Sequence, residues 1–437
     1  MQTGTVRREL YCSGLHPFIS TRHIDDFFDA FKDLRFYMVR NHDWAHNNTD
    51  QRLIDVHHIF PLMHLDPSDE RNYYFAPSDE AIRLTYEAGS KVFYRLGTSI
   101  EHTEGIHFNT NPPEDFDKYA EVCAAIVRHY TKGWNNGFHY DMPYWEIWNE
   151  PDLKNGAMWT GSAEQFALFF AIVLKRLKTE FPELKVGGPA HTVFSPCLID
   201  MIKAECDKLD VTPDFYSYHI YSNNLDAMRS VATEPRKYLD KIGWNKTESI
   251  LNEWHFIRSW VGVHSNLTEE SYNYSINSRD GLMGINSAAF NVASFCIFQN
   301  SPLDYSFYYG CGTGNWGVYR PSRLPNKNFY SLIMMRDMVY DFPKKTTVSG
   351  CDEQTQCAIA GLSEDGSKAA MLLGDLYGIS TDIPVEIKGF DFKKATCIAL
   401  DDIRDNVPIP LQPDNDGILH LMKNEPGSAA FMLILEK

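Results

Sequence analysis

From residue 35 to about residue 340 the chain alternates short runs of aromatic, aliphatic and β-branched residues with longer stretches whose apolar positions recur every three or four residues. The short runs predict eight strands: 35–40 (RFYMVR), 54–59 (IDVHHI), 91–96 (KVFYRL), 144–148 (YWEIW), 184–187 (LKVG), 215–219 (FYSYH), 249–251 (SIL) and 294–298 (SFCIF). Helices are predicted over 77–89, 115–132 and 163–181, with Gly89 and Pro182 as punctuation. Eight βα units joined by right-handed crossovers close into a (β/α)8 barrel. From Thr346 onward helical patterns nearly vanish, and short runs such as CAIAGLS, KAAMLLG, ATCIAL and SAAFMLILE are separated by turn residues. The expected architecture is a catalytic TIM barrel over 1–345 and an all-β sandwich accessory domain over 346–437. No internal repeat or low-complexity linker separates them, so rigid packing is expected.

A barrel of this kind carries its chemistry at the carboxyl ends of its strands. The fourth predicted strand runs into Trp148-Asn149-Glu150-Pro151 and the seventh into Asn252-Glu253-Trp254. Taken alone, an Asn-Glu-Pro at a strand end is a helix cap or a turn. Two carboxylates facing each other across one barrel mouth are instead what cleavage of a glycosidic bond requires: one protonates the leaving oxygen, the other attacks the anomeric carbon or activates water. Trp145, Trp148, Trp159 and Trp254 flank both acids and are expected to wall the apolar side of a sugar ring.

At these residues the chain resembles glycoside hydrolase family 39, of clan A. YWEIWNEPDL (144–153), MWTGSAEQF (158–166) and KVGGPA (185–190) look like that family's acid/base strand, following helix and fifth strand. DFYSYHIY (214–221) and ILNEWHF (250–256) resemble its sixth strand and nucleophile strand, and Arg40 and His42 sit where the family shows an Arg-x-His after its first strand. The resemblance implies activities of the β-xylosidase, α-L-iduronidase, β-galactosidase and α-L-arabinosidase types. It makes Glu150 the general acid/base and Glu253 the nucleophile of a retaining mechanism, and Asn149 a donor to the sugar 2-hydroxyl. Arg40 is expected to pair with Glu253, and Tyr221 or His219 to hold its other oxygen, a buried core histidine being the alternative for His219. Of His42, His57, His58 and His102, His42 is favoured as a pocket residue. The proximity of Glu253 and burial beside Trp148 are expected to keep Glu150 protonated. Two segments depart from the family's xylosidases, FYRLGTSIEH after the third strand and FQNSPLDYSFYYG after the eighth, and both shape the sugar pocket.

Charge narrows the partners. With 41 Lys and Arg against 58 Asp and Glu the formal net charge is −17, and no basic run is present, which argues against nucleic acid and favours a neutral oligo- or polysaccharide. A uronate would need a committed cation, and Arg95 is the strand-end candidate beyond Arg40. No stretch approaches the length of a membrane span. Residues 1–10 (MQTGTVRREL) lack the apolar core of an export signal, so a cytoplasmic protein, or an exported one already trimmed, is expected. Nine scattered cysteines without C-x-x-C or metal-type His spacing predict reduced structural thiols, no metal and no cofactor. Two other readings stay open: a catalytically silent carbohydrate-binding barrel and a transglycosylase.

Overall fold

The computed structural model describes residues 2–14, 28–42, 53–100, 109–260, 268, 270, 273–312, 315–320 and 324–437. After a two-residue strand β1 (Gly4–Thr5), eight strands form a closed barrel in chain order: β2 (Cys12–Gly14), β3 (Met38–Arg40), β4 (Lys91–Leu96), β5 (Tyr144–Ile147), β6 (Lys185–His191), β7 (Phe215–Ser222), β8 (Glu248–Phe256) and β9 (Tyr305–Tyr308). Every pairing between them is parallel. The bottom of the barrel is plugged by Cys12, Met38, Phe93, Tyr144, Phe215, Ile250 and Phe307, one inward side chain from each of seven strands. Crossover helices start and stop on local chemistry. Asp115 accepts from the Lys118 amide at 2.9 Å to cap the helix Phe116–Lys132, which Gly133 ends in the left-handed region at φ 76°. Ser162 accepts from the Gln165 amide at 3.1 Å to start Ala163–Glu180.

Two of the eight predicted strands are corrected. Residues 54–59 are not a strand: Val56–Ile59 is a short helix, and the apparent alternation there is too brief to distinguish the two periods. Residues 294–298 lie inside the helix Ile285–Gln299, whose side chains are buried nearly all round, so it shows no polar stripe. The true first and last barrel strands are β2 and β9, of three and four residues. Because one false strand was added at each point where a true one was missed, Glu150 still follows the fourth barrel strand and Glu253 still lies on the seventh. Arg40, however, ends the second strand of the barrel, not the first.

The remaining strands are β10 (Lys344–Thr346), β11 (Gln356–Leu362), β12 (Lys368–Asp375), β13 (Asp382–Glu386), β14 (Lys394–Leu400), β15 (Val407–Leu411), β16 (Ile418–Met422) and β17 (Ala429–Glu436). They make an antiparallel sheet in the order β1-β10-β11-β12-β17-β14-β15, with β13 and β16 forming a second, two-stranded sheet. The larger sheet takes strands from both sides of the predicted boundary at 345/346. One of its faces, with Ile359, Ala370, Leu372 and Met432, shares the barrel's core and packs on the helix Ile285–Gln299. The other, with Phe431, Leu433 and Ala399, closes on Ile383, Leu419 and Leu421 of the small sheet. Burial on both faces is what holds the second unit against the barrel. Among the described residues no helix is long and apolar enough to cross a membrane, and the nine cysteines are unpaired.

Candidate active site

Strand alternation builds the site one layer above the apolar plug. Two residues beyond Met38, Tyr144, Phe215 and Ile250 stand Arg40, Glu146, Ser217 and Asn252, and their side chains meet in the barrel interior. Arg40 donates through Nε to Glu146 Oε2 at 2.7 Å, Ser217 Oγ donates to Glu146 Oε1 at 2.6 Å, and Asn252 Nδ2 donates to the same oxygen. All four are buried. Glu146 was not singled out from the sequence, although it sits at the inward parity of a strand already read as carrying the acid.

The next layer breaks strict alternation, and the breaks aim the acids. The pairing of β7 with β8 shifts between Tyr218 and His219, and that of β8 with β9 between Leu251 and Trp254, so the consecutive residues Asn252 and Glu253 both reach inward contacts. After β5 the chain turns through positive φ at Trp148 (73°) and again at Glu150 (42°). Gly97 makes room for that turn, since a Cβ there would stand 2.9 Å from the Trp148 Cα. Asn149 and Glu150 are thereby delivered to the mouth, while Trp148 is turned outward into the core.

Glu150 Oε1 lies 2.9 Å from His219 Nδ1, and His219 Nε2 lies 3.8 Å from Glu253 Oε2. Glu253 Oε1 accepts from the Tyr221 hydroxyl, and its Oε2 is 3.3 Å from Arg40 Nη1. The remaining Arg40 nitrogen, Nη2, donates to Asn149 Oδ1 at 2.6 Å. This leaves the buried Asn149 Nδ2 without a hydrogen-bond partner among the described residues. One oxygen of Glu150, one of Glu253 and a ring nitrogen of His219 lie within 4.8 Å of one another. Among the described residues they are the one group close enough to share a cation, and Arg40 already sets a positive charge against Glu253.

Burial pushes the Glu253 carboxyl up to about 7, with the charge of Glu150 adding to the rise and His219, Arg40 and Tyr221 opposing it. A proton held on Glu150 therefore favours ionisation of Glu253. Burial lowers the His219 imidazole, so it is neutral near pH 7, and burial raises the Tyr221 phenol, which stays a donor.

The predicted aromatic walls are corrected. Trp148 is fully buried, donates to the Met158 carbonyl at 2.8 Å and packs against Tyr119, Trp159 and Phe169. Trp145 and Trp159 are core residues as well, and Trp254 packs edge-on against Phe298 and Tyr308 on the outer side of the barrel wall. The aromatic ring that reaches an acid is Tyr221, and Trp260 and Trp316 pack on it, with Tyr309 against Trp316. Trp260 and Trp316 lie in irregular segments after β8 and β9, where no periodicity pointed to them. His42 is buried two residues past Arg40 on the same rim. His57 and His58 lie on the short helix Val56–Ile59, against Tyr119 and Tyr74, and His102 falls outside the described residues. Arg95 is fully buried, with Nη2 2.8 Å from Asp55 Oδ1 and 3.3 Å from Ser99 Oγ, and its charge acts on Tyr94 and Tyr119.

Comparison with known proteins matches residues 25–252 to the family model described as Glycosyl hydrolases family 39. A β-xylosidase of Caldicellulosiruptor saccharolyticus is 28% identical over 164 residues, 35% of this chain and 32% of that protein. A β-xylosidase of Geobacillus stearothermophilus is 26% identical over 209 residues, 46% of this chain and 39% of that protein. The aligned parts thus span roughly a third of those relatives' lengths. Among solved structures, a glucosidase from Croceicoccus marinus superposes with a TM-score of 0.76 at 20% identity, covering 100% of this chain and 97% of that one. A family 39 β-xylosidase from Caulobacter crescentus does so with a TM-score of 0.70 at 15% identity, covering 100% and 98%. At these identities the structures establish the fold.

Proposed function

Since the chain belongs to glycosyl hydrolase family 39, a retaining family of clan A, we propose that it removes a neutral sugar from a glycan by double displacement, with Glu253 as nucleophile and Glu150 as general acid/base. The observation that carries this reading is the spacing of the acids. An oxygen of each lies within 4.8 Å of the other, which favours direct attack by a carboxylate at about 5 to 5.5 Å over water-mediated inversion at about 6.5 to 9.5 Å.

Glu253 attacks the anomeric carbon while Glu150 gives its proton to the leaving oxygen. Arg40 and Tyr221 hold the two oxygens of Glu253 and favour its ionised form. Neutral His219, with Nδ1 as acceptor, holds the Glu150 proton at the mouth and presents Nε2–H toward Glu253. Once Glu253 is esterified its charge is gone, so Glu150 ionises more readily and takes a proton from the incoming water. Asn149 Nδ2 is a preplaced donor for the 2-hydroxyl, a contact that tightens as oxocarbenium character develops.

The substrate type is of the β-xyloside, α-L-arabinoside or β-galactoside kind. An α-L-iduronide is disfavoured because both candidate cations are committed, Arg40 to Glu146 and Glu253 and Arg95 to Asp55. A buried uronate without a cation would cost several kcal/mol. The test is a panel of p-nitrophenyl β-D-xyloside, β-D-galactoside, β-D-glucoside, α-L-arabinosides and α-L-iduronide, with the anomer of the first-formed product followed by NMR. Turnover of a neutral glycoside with retention is expected; inversion, or preference for the iduronide, contradicts the proposal.

A further inference from the structure

Beside Tyr221, whose hydroxyl reaches Glu253, stand exposed aromatic rings that the double displacement does not use. Trp260 follows β8 and packs on Tyr221 with ring centroids 5.2 Å apart, next to the phenol that holds Glu253. It is nevertheless 52% exposed, as is Tyr274 at 51%. Arg258 ties the two positions together: its guanidinium lies 5.2 Å over the Tyr274 ring and pairs with Asp280. A third ring comes from the antiparallel sheet. Tyr377, just past β12 and 44% exposed, precedes Gly378, whose carbonyl accepts from the Gly427 amide, and Gly427 lies against the guanidinium of Arg279, the neighbour of Asp280.

The two units are fixed together at this point. Arg279 pairs with Asp402 and, at 3.0 Å, with Glu425, both from the sheet unit. Three half-exposed rings gathered around Arg258, Asp280 and Arg279, one of them packed on Tyr221, make an exposed aromatic patch of the kind that marks a binding surface. Flat aromatic faces match the C–H faces of pyranose rings. Arg258 is neutralised by Asp280, so the ridge offers no spare charge, in keeping with a net charge of −17 that disfavours an anionic polymer.

Resting on the hydrolase reading above, we propose that Trp260, Tyr274 and Tyr377 form a carbohydrate-binding ridge that holds the part of a neutral glycan beyond the sugar being cleaved, its outer ring supplied by the antiparallel sheet. The sheet unit then contributes to substrate choice, favouring polymeric or oligomeric glycosides over small ones.

Affinity electrophoresis of the full chain through gels containing xylan, arabinan or galactan tests this, with p-nitrophenyl glycoside turnover measured alongside. At least one polymer is expected to retard the wild type. Trp260→Ala should weaken retention about tenfold and Tyr377→Ala about threefold, as expected for a lost ring contact. Trp260→Phe and Tyr377→Phe should recover most of it. Equal retention in wild type and both alanine variants, or no retardation of the wild type by any of the three polymers, overturns the ridge. Retardation without turnover of any glycoside leaves the ridge standing and counts against the hydrolase reading; turnover without retardation counts against the ridge alone.

Discussion

Arg40 and Glu146 form a fully buried ion pair, Nε to Oε2 at 2.7 Å, directly beneath the two acids at the mouth. The same guanidinium spends Nη2 on Asn149 and Nη1 on Glu253, so one side chain sets the positions of the Glu253 carboxylate and of the Asn149 amide. Glu146 fixes that guanidinium from below and offsets part of its charge. Without it, Arg40 would be drawn more fully toward Glu253.

Removing one member of such a pair strands the other in the barrel interior. Glu146→Ala is expected to lose about 3–5 kcal/mol of stability. Combined with Arg40→Ala, the loss should be clearly smaller than the sum of the single losses. Urea unfolding of the two single variants and the double variant measures this. Additive losses would mean that the pair does not act as a unit.

With Glu253 as the proposed nucleophile, the acid limb of kcat/KM follows its ionisation, and with burial holding that carboxyl at about 7 the limb is expected near neutral pH. Arg40 and the Tyr221 hydroxyl both lower that value, so Arg40→Gln and Tyr221→Phe should each move the limb to higher pH. A limb that stays in place in both variants would show that another group controls it.

The same shift has a consequence for stability, with a definite sign. The folded carboxyl sits above its ordinary value of 4.5, so the folded protein holds this proton more tightly than the unfolded chain does. Its contribution is fully present below about pH 4.5 and is lost as pH rises through about 7. Glu253→Gln removes that dependence. The melting temperature of the variant minus that of the wild type should therefore increase between pH 4.5 and 7.5, as thermal melts across that range would show; a flat or falling difference contradicts it.

Glu150→Ala should impair substrates in proportion to how badly their leaving groups need a proton. Nitrophenyl glycosides are expected to lose least and disaccharides most, measured as kcat/KM across a leaving-group series. Equal losses along the series would deny Glu150 the acid role.

The alternation of strand and helix made the barrel legible, and the two Asn-Glu motifs marked the strand ends where its acids stand. β2 and β9 were missed, and the helix Ile285–Gln299 was masked by burial on every side, so that part of it reads as a strand. The aromatic reading failed for a different reason. Sequence proximity put Trp148 and Trp254 beside the acids, but neighbouring residues on a strand point to opposite faces, and at Trp148 the left-handed turn sends the ring into the core. Trp260 and Trp316 come to Tyr221 only through the tertiary fold.

Covalent trapping tests the central claim most directly. The chain is incubated with a 2-deoxy-2-fluoro glycoside of the sugar that the panel selects, carrying an activated leaving group, and its peptides are mapped by mass spectrometry. The result expected is a stoichiometric burst of the leaving group, with the fluorosugar on the peptide containing Glu253. A label on any other residue, or steady turnover of the panel substrate with no trapped sugar, would contradict the assignment of Glu253 as nucleophile.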